Sequence, residues 1–269
     1  MVRRTPVFEK LDVENFECGS NVTVGKNVRI TSSTGGRAKR VKIGDNCYIG
    51  DDVQIMCDDF SVGDYARIHH GTDFHGSEPC KIGHNFWIGQ NSIVDSTGGT
   101  TIGNNCGVGA SSQLWSHIKY GDVLEGCRFN STGKLEIGND CWFVGHCIVS
   151  PITAKDKCMV MAGSVVTKSL EENVIYAGTP AKAMVNWGGQ FEDVSLETKY
   201  DKMLELYNEF GSPNKIQIVM SKKEALDDDV SYFVVEDRSY TKKLSEEEIS
   251  FMKFLLPNVK FIPYETQSI

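Results

Sequence analysis

The sequence predicts a mainly β protein: a parallel β-helix with a small α/β appendage at its C-terminal end. Three observations predict it. First, short phrases recur in which an aliphatic residue is followed by glycine, as in IGDNCYIGDD (43–52), IGHNFWIGQN (82–91) and IGNNCGVGAS (102–111). Second, the aliphatic positions fall six residues apart within a pair and 19 or 20 apart between pairs, at 24, 43, 62, 82 and 102. Third, the residues after the glycine are turn formers, among them Asp45-Asn46, His84-Asn85, Asn104-Asn105 and Asn139-Asp140. A hexapeptide period of this kind describes a short strand, a tight corner and another short strand, three times per coil. Glycine, asparagine and aspartate tolerate the backbone angles such corners need.

The aliphatic residue points inward and meets its counterparts in the coils above and below. Four positions later the side chain is small or compact, as with Val28, Val53, Ala66, Ser92 and Ser112. Cys47, Cys106, Cys141, Cys147 and Cys158 share that position, so they are expected to be packing residues rather than metal ligands, despite the spacing of Cys141, His146 and Cys147. His84 and His146 fall on corners and are expected to be exposed turn residues. The register runs on through Ile137, Phe143, Ala154, Val160 and Val166, which predicts seven to eight coils in a prism roughly 35 Å long at the strand spacing of a sheet. Any extra residues are expected at the third corner of each coil. ENVIYAGTPAKAMVNWGG (172–189) is expected to leave the repeat and cap it.

The division expected is a β-helix over 1–189, with a loop insertion at 115–135, and an α/β domain over 190–269. In the second region LETKYDKMLELYNEFG (196–211) has helical periodicity ended by Gly211. KIQIVM (215–220), SYFVVED (231–237) and VKFIPYE (259–265) read as strands, and Ser245 with Glu248 forms a capping box that opens a second helix. The acidic runs Asp227–Asp229 and Glu246–Glu248 read as a solvated face and a helix N-terminus.

Composition narrows the function. The net charge of −8 argues against nucleic acid as a partner, because phosphate binding needs a basic face. The charge is uneven: 20 acidic against 18 basic residues over 1–189, and 16 against 10 over 190–269. The chain has no apolar run of 18 residues, so no membrane span is expected. Its opening, MVRRTPVFEKLDVENF, has no apolar block of the kind that makes a secretory signal. Nine cysteines without such a signal predict free thiols and a cytoplasmic setting. Arg37, Lys39, Arg40 and Lys42 make a basic stretch able to meet a diphosphate, or a solvated loop.

The stretch LEIGNDCWFVGHCIVSPITAKDKCMVMAGSVVTKSLEENVIYAGTPAKAM (135–184), with its Trp142 coil, AGSVVTK turn (162–168) and closing AGTPAK (177–182), resembles the last coils of the hexapeptide-repeat acyltransferases. The likeness covers about 20–186 and leaves the region after 190 outside it. It departs from the family pattern at Val144, Lys155, Met161 and Thr179. The resemblance implies a left-handed β-helix, against the usual right-handed rule for parallel crossovers. It further implies a homotrimer and an acyl-coenzyme A co-substrate lying between subunits, against Trp142, the backbone of Ala162 and Gly163, and Lys168 and Lys182. No metal is expected.

The resemblance also places a catalytic histidine on a loop leaving one coil, and His117 matches that position. Imidazole is suited to taking a proton from an attacking hydroxyl or amine at working pH. Residues 94 and 114 are equivalent in register, so Asp95 is expected one coil beneath Trp115, where it either orients His117, binds an acceptor amine or is an exposed corner residue. His75 is placed to face the same groove; it and His69 and His70 also read as structural. His75, with Trp115, Tyr120, Glu125 and Arg128, is a candidate for the acceptor, a sugar or nucleotide-linked sugar used in cell-surface polysaccharide synthesis; the polar insertion also holds Lys119, Asp122 and Asn130. Two other readings remain open from the sequence: a zinc-dependent relative of carbonic anhydrase on the same prism, and a non-catalytic scaffold.

Overall fold

The computed structural model describes residues 6–225 and 229–264, except for the side chain of Asn130. Asp227 and Asp228 of the acidic run, and Glu265 of the last expected strand, lie outside the described residues. The chain divides between Phe191 and Glu192 into two compact units.

The first unit is a parallel β-helix of three stacked faces. The first face runs through Lys10–Leu11, Arg29–Thr31, Gln54–Cys57, Asp73–Gly76, Ile93–Asp95, Gln113–Leu114, Ile148–Val149 and Val165–Val166. The second face includes Ala38–Ile43, Cys80–Ile82, Thr100–Ile102 and Leu135–Ile137. The third includes Tyr48–Ile49, Trp87–Ile88, Gly107–Val108 and Trp142–Phe143. The inward residues meet as the period requires: Ile43 pairs with Val62, Val62 with Ile82, Ile82 with Ile102 and Ile102 with Ile137, all buried. The repeated cysteines are buried free thiols. Cys106 Sγ donates to the Gly138 carbonyl at 3.0 Å and Cys141 Sγ to that of Lys155 at 3.2 Å, so each thiol bonds to the next coil.

The turn formers have two distinct tasks at the corner between the second and third faces. The first of each pair builds a ladder along the prism. Asp64 Oδ1 accepts from the Asp45 amide at 2.8 Å, His84 Nδ1 from Asp64 at 2.9 Å and Asn104 Oδ1 from His84 at 2.8 Å. Asn139 Oδ1 then accepts from Asn104 and Asp156 Oδ1 from Asn139, each at 2.8 Å. His84 is therefore a half-buried ladder member, not the exposed turn residue the repeat suggests. The second of each pair, such as Asn46, Asn85, Asn105 and Asp140, adopts the left-handed conformation, with φ between 57° and 60°. His146 is an exposed corner residue, also with φ near 52°.

Two corners of every coil have the same length; for example, residues 44–47, 63–66 and 103–106 join the second and third faces. All the variation falls at the corner between the first and second faces, from residue 58 alone to the excursion after Leu114. That excursion is partly ordered as an antiparallel ribbon, with His117 paired to Thr132 and Lys119 to Asn130.

Two further expectations need correction. The repeat persists past 172, because Met159 pairs in parallel with Ile175; the turn away comes after Ala177, where Lys182 returns antiparallel. The basic stretch is no loop: Lys39, Arg40 and Lys42 lie on the strand Ala38–Ile43. Arg37, Arg40 and Lys42 are engaged by Asp12, Asp59 and Glu17 at 3.0, 2.8 and 3.3 Å. Their charge is spent on neighbouring coils, which share strand register there.

The second unit is a four-stranded sheet in the order Ile216–Val219, Ser231–Val234, Ser239–Thr241, Ile262–Tyr264, with helices α1 (Leu196–Phe210) and α2 (Glu246–Leu255). Phe233 stacks on Tyr240 and meets Phe251 and Phe261 edge-on in its core. Gly211 ends α1 at φ 102°, as its C-cap position requires. The strand Ser239–Thr241 has no counterpart among the sequence expectations; it is three residues long and too short to show a period. The capping box forms by half. Ser245 accepts from the Glu248 amide, but the Glu248 carboxylate turns inward to Ser231 Oγ at 2.6 Å and the amides of Lys243 and Leu244 at 2.6 and 3.1 Å. Among the described residues no helix is long and apolar enough to cross a membrane.

Candidate active site

The variable corner of the β-helix gathers the titratable groups. On the first face His75 pairs with Asp95, and Val94 with Leu114, so His75, Asp95 and Trp115 form one column on successive coils. The pleat turns these residues outward, yet Asp95 is fully buried. The chain leaving the coil at Trp115 brings Ser116 and His117 over it.

Asp95 is held from all sides. Its Oδ2 accepts from the Ser116 amide at 2.9 Å, from the Ser116 hydroxyl, and from His117 Nδ1 at 2.8 Å. Its Oδ1 accepts from the Thr97 amide at 3.2 Å and hydroxyl at 2.6 Å, and His75 Nε2 lies 3.5 Å away. Burial pulls the carboxyl toward the neutral form. The hydrogen bonds from Ser116, Thr97 and His117 outweigh it and hold Asp95 below its ordinary value. Asp95 is therefore not an exposed corner residue: it is buried, both its oxygens are engaged, and it touches His117.

A carboxylate only accepts, so Nδ1 of His117 donates to Asp95, and in the neutral ring Nε2 is the nitrogen left to accept. His117 and His75 are each about a quarter exposed, at 27% and 29% of the side chain. The Trp115 ring stands between them, its centroid 5.9 Å from that of His117 and 6.1 Å from that of His75. Asp73 Oδ1 lies 3.7 Å from His75 Nδ1. This contact, opposed by burial and aided by the charges of Asp73 and Asp95, raises the proton affinity of His75. The arrangement is that of an imidazole oriented by a buried carboxylate beside an aromatic ring.

The other candidate residues lie elsewhere in the chain. Trp142 is on the third face, 43% exposed, with its indole over Gly107, where an added Cβ would come within 3.3 Å. Ala162 and Gly163 form an exposed corner with Gly163 at φ 71°, and Lys168 and Lys182 are exposed. Tyr120, Glu125 and Arg128 are exposed on the insertion, together with Leu124 and Phe129. An open cleft of about 450 Å³ lies on the second face, lined by Thr101, Glu136, Thr153 and Lys155, away from Asp95 and His117. Among the described residues no group of three or more histidine, cysteine, aspartate or glutamate side chains is placed to hold a metal.

Sequence reasoning missed Ser116, Thr97 and Asp73. A signal for Ser116 exists: DST (95–97) and WSH (115–117) are twenty residues apart, one coil, which sets Ser116 above Ser96.

Comparison with known proteins places the repeat. A family model described as the hexapeptide repeat of succinyl-transferase matches residues 79–111 and 134–168. Galactoside O-acetyltransferase of Escherichia coli (strain K12) is 28% identical over 127 residues, which span 46% of this chain and 62% of that enzyme. The chain thus matches less than two thirds of that relative's length. Among solved structures, the polysialic acid O-acetyltransferase OatWY is similar with a TM-score of 0.49 and 17% identity, covering 74% of this chain and 96% of that one. A variant of AntD, an N-acyltransferase from Bacillus cereus in complex with dTDP and coenzyme A, has a TM-score of 0.43 and 20% identity, covering 70% of this chain and 89% of that one.

Proposed function

We propose that this chain, a member of the hexapeptide-repeat acyltransferases, moves an acetyl or other short acyl group from acyl-coenzyme A to a hydroxyl or amino group of a sugar or nucleotide-linked sugar. The observation that carries the reading is the 2.8 Å contact of His117 Nδ1 with a buried, ionised Asp95. The sequence likeness to a galactoside O-acetyltransferase supports the acyl transfer and the sugar acceptor.

His117 Nε2 takes the proton of the acceptor as its oxygen or nitrogen attacks the thioester carbonyl. The tetrahedral intermediate collapses, the carbon–sulfur bond breaks, and the imidazolium returns the proton to the departing thiolate. Asp95 stabilises that imidazolium and fixes the ring's tautomer. It is a positioning residue, because its own oxygens are engaged and buried. Trp115 and His75 flank the position of the acceptor, and Tyr120, Glu125 and Arg128 offer polar contacts from the insertion.

Acyl-coenzyme A lies along the third face and the corner after it. Trp142 is its apolar wall, the Ala162–Gly163 backbone meets the pantetheine, and Lys168 and Lys182 meet the phosphates. His117 stands on the ribbon that leaves the corner after the first face, whereas Trp142 stands on the third face. A homotrimer, in which one subunit's corner faces another's third face, unites the two half-sites. The setting is the cytoplasm and the role is in cell-surface polysaccharide synthesis.

The test is release of free coenzyme A thiol from acetyl-coenzyme A with a panel of sugar and nucleotide-sugar acceptors, for the parent protein and His117→Ala. Acceptor-dependent release that depends on His117 supports the reading. No release with any acceptor, together with no stabilisation by coenzyme A or acetyl-coenzyme A, overturns it.

A further inference from the structure

Two imidazoles share one buried carboxylate at this site. Asp95 Oδ2 holds His117 Nδ1 at 2.8 Å, while Asp95 Oδ1 lies 3.5 Å from His75 Nε2. Building on the reading of His117 as base, we propose that His75 is a positioning residue that carries positive charge in the resting site and, by sharing Asp95, keeps His117 neutral and ready to accept a proton.

The groups around His75 all point the same way. Asp73, two residues earlier on its own strand, lies 3.7 Å from Nδ1, and Asp95 from the next coil faces Nε2. The strand of the preceding coil pairs Met56 with His75 and brings it no charge. Trp115 covers the ring at an interplanar angle of 63°. A ring with a carboxylate at each nitrogen holds two protons more readily than a free imidazole, and Asp73 and Asp95 together outweigh burial.

The consequence follows from charge counting. Asp95 brings one negative charge to both rings. If only His117 faced it, the carboxylate would stabilise the His117 imidazolium fully, and the base would be blocked at moderately acidic pH. With His75 already cationic on the other oxygen, part of that field is cancelled, and a second cation is disfavoured. His117 then remains an available base to lower pH. His75 need not touch the acceptor for this effect, which separates it from a binding role.

Histidine ring nitrogen NMR on the full protein, across a pH titration, tests the inference without reference to turnover. In the parent protein the ring signals of His75 and His117 should each follow two linked steps. In His75→Gln, which removes the charge and keeps a polar side chain, His117 should follow one step displaced to higher pH by about half a unit or more. In parallel, the acid limb of kcat/KM should move to higher pH by the same amount, roughly a threefold loss of activity on that limb. A packing or acceptor-binding role predicts a changed plateau or KM with the limb in place. Two independent single-step titrations in the parent protein, or an unmoved His117 curve in a folded His75→Gln, overturn the inference. If the His117 curve moves but His117→Ala retains turnover, the charge sharing stands and the assignment of His117 as base falls.

Discussion

Asp95 and His117 are 22 residues apart in sequence and 2.8 Å apart in space, joined by a carboxylate oxygen and Nδ1. One coil of the β-helix separates their positions on the chain, and the twenty-residue register brings them back to the same corner. The contact combines an element of the repeat with an element that interrupts it.

Replacing His117, the proposed base, tests the role of that contact directly. His117→Ala should lower kcat for acyl transfer by about 10²- to 10⁴-fold, the usual worth of a positioned acid–base group. The β-helix should be unaffected, because His117 lies outside the inward column. Steady-state kinetics with circular dichroism on the same sample checks both; near-normal turnover would place the base elsewhere.

Asp95→Asn should be costly twice over. The amide presents a donor as well as an acceptor to Ser116, Thr97 and His117, so at least one contact is lost and the His117 tautomer is no longer set. Unsatisfied buried donors put the stability loss at about 1–3 kcal/mol at neutral pH. The sign with pH follows from the depressed value of Asp95. Its stabilisation is present above the unfolded carboxyl value of about 3.9 and is lost as pH falls through the lower folded value. Denaturant unfolding at pH 7 and near pH 3 should therefore show the gap between parent and variant shrinking in acid.

Close packing of coils makes some glycines irreplaceable. A Cβ on Gly109 would lie 1.9 Å from the Val144 carbonyl oxygen and 2.6 Å from the Gly145 Cα, all backbone. Gly109→Ala should abolish folding or lower the melting temperature by many degrees. Gly126 on the insertion has φ 79° and no atom within 4 Å of such a Cβ, so Gly126→Ala should cost only about 1 kcal/mol of local strain. Thermal unfolding of the two variants side by side checks the contrast.

The thiols should be unreactive in the native protein. Burial pushes Cys47 up to about 12, and Cys57, Cys80, Cys106, Cys141, Cys147 and Cys158 are buried as well. Only the half-buried Cys18 and Cys127 are accessible. A chromogenic disulfide reagent at pH 8 should modify at most those two, and the buried thiols only after denaturation.

In the second unit, Glu248→Ala should loosen the turn before α2. The fully buried carboxylate is replaced by nothing that can accept from Ser231, Lys243 and Leu244. A loss of about 1–3 kcal/mol per stranded donor group is the expected scale. Hydrogen exchange should show faster exchange at the amides of 243 and 244.

The period of two aliphatic positions per nineteen or twenty residues determined the coil, its inward column and its register, because only one stacking buries Ile43, Val62, Ile82, Ile102 and Ile137 together. That register also put Asp95 beneath Trp115 from sequence alone. The helices of the second unit were legible from periodicity and caps, while the strand Ser239–Thr241 was too short to be. What lay beyond the sequence was everything set by the direction of side chains at irregular places. The carboxylate of Glu248 leaves its capping box for Ser231, and His84 enters a ladder of side chains that accept from backbone amides. Asp95 points outward by the pleat yet is sealed by the insertion, with Ser116 and Thr97 as its partners. A repeat specifies backbone placement because every coil enforces it on the next. An excursion from the repeat has no such copy, so what it covers is decided only when the chain closes over the corner.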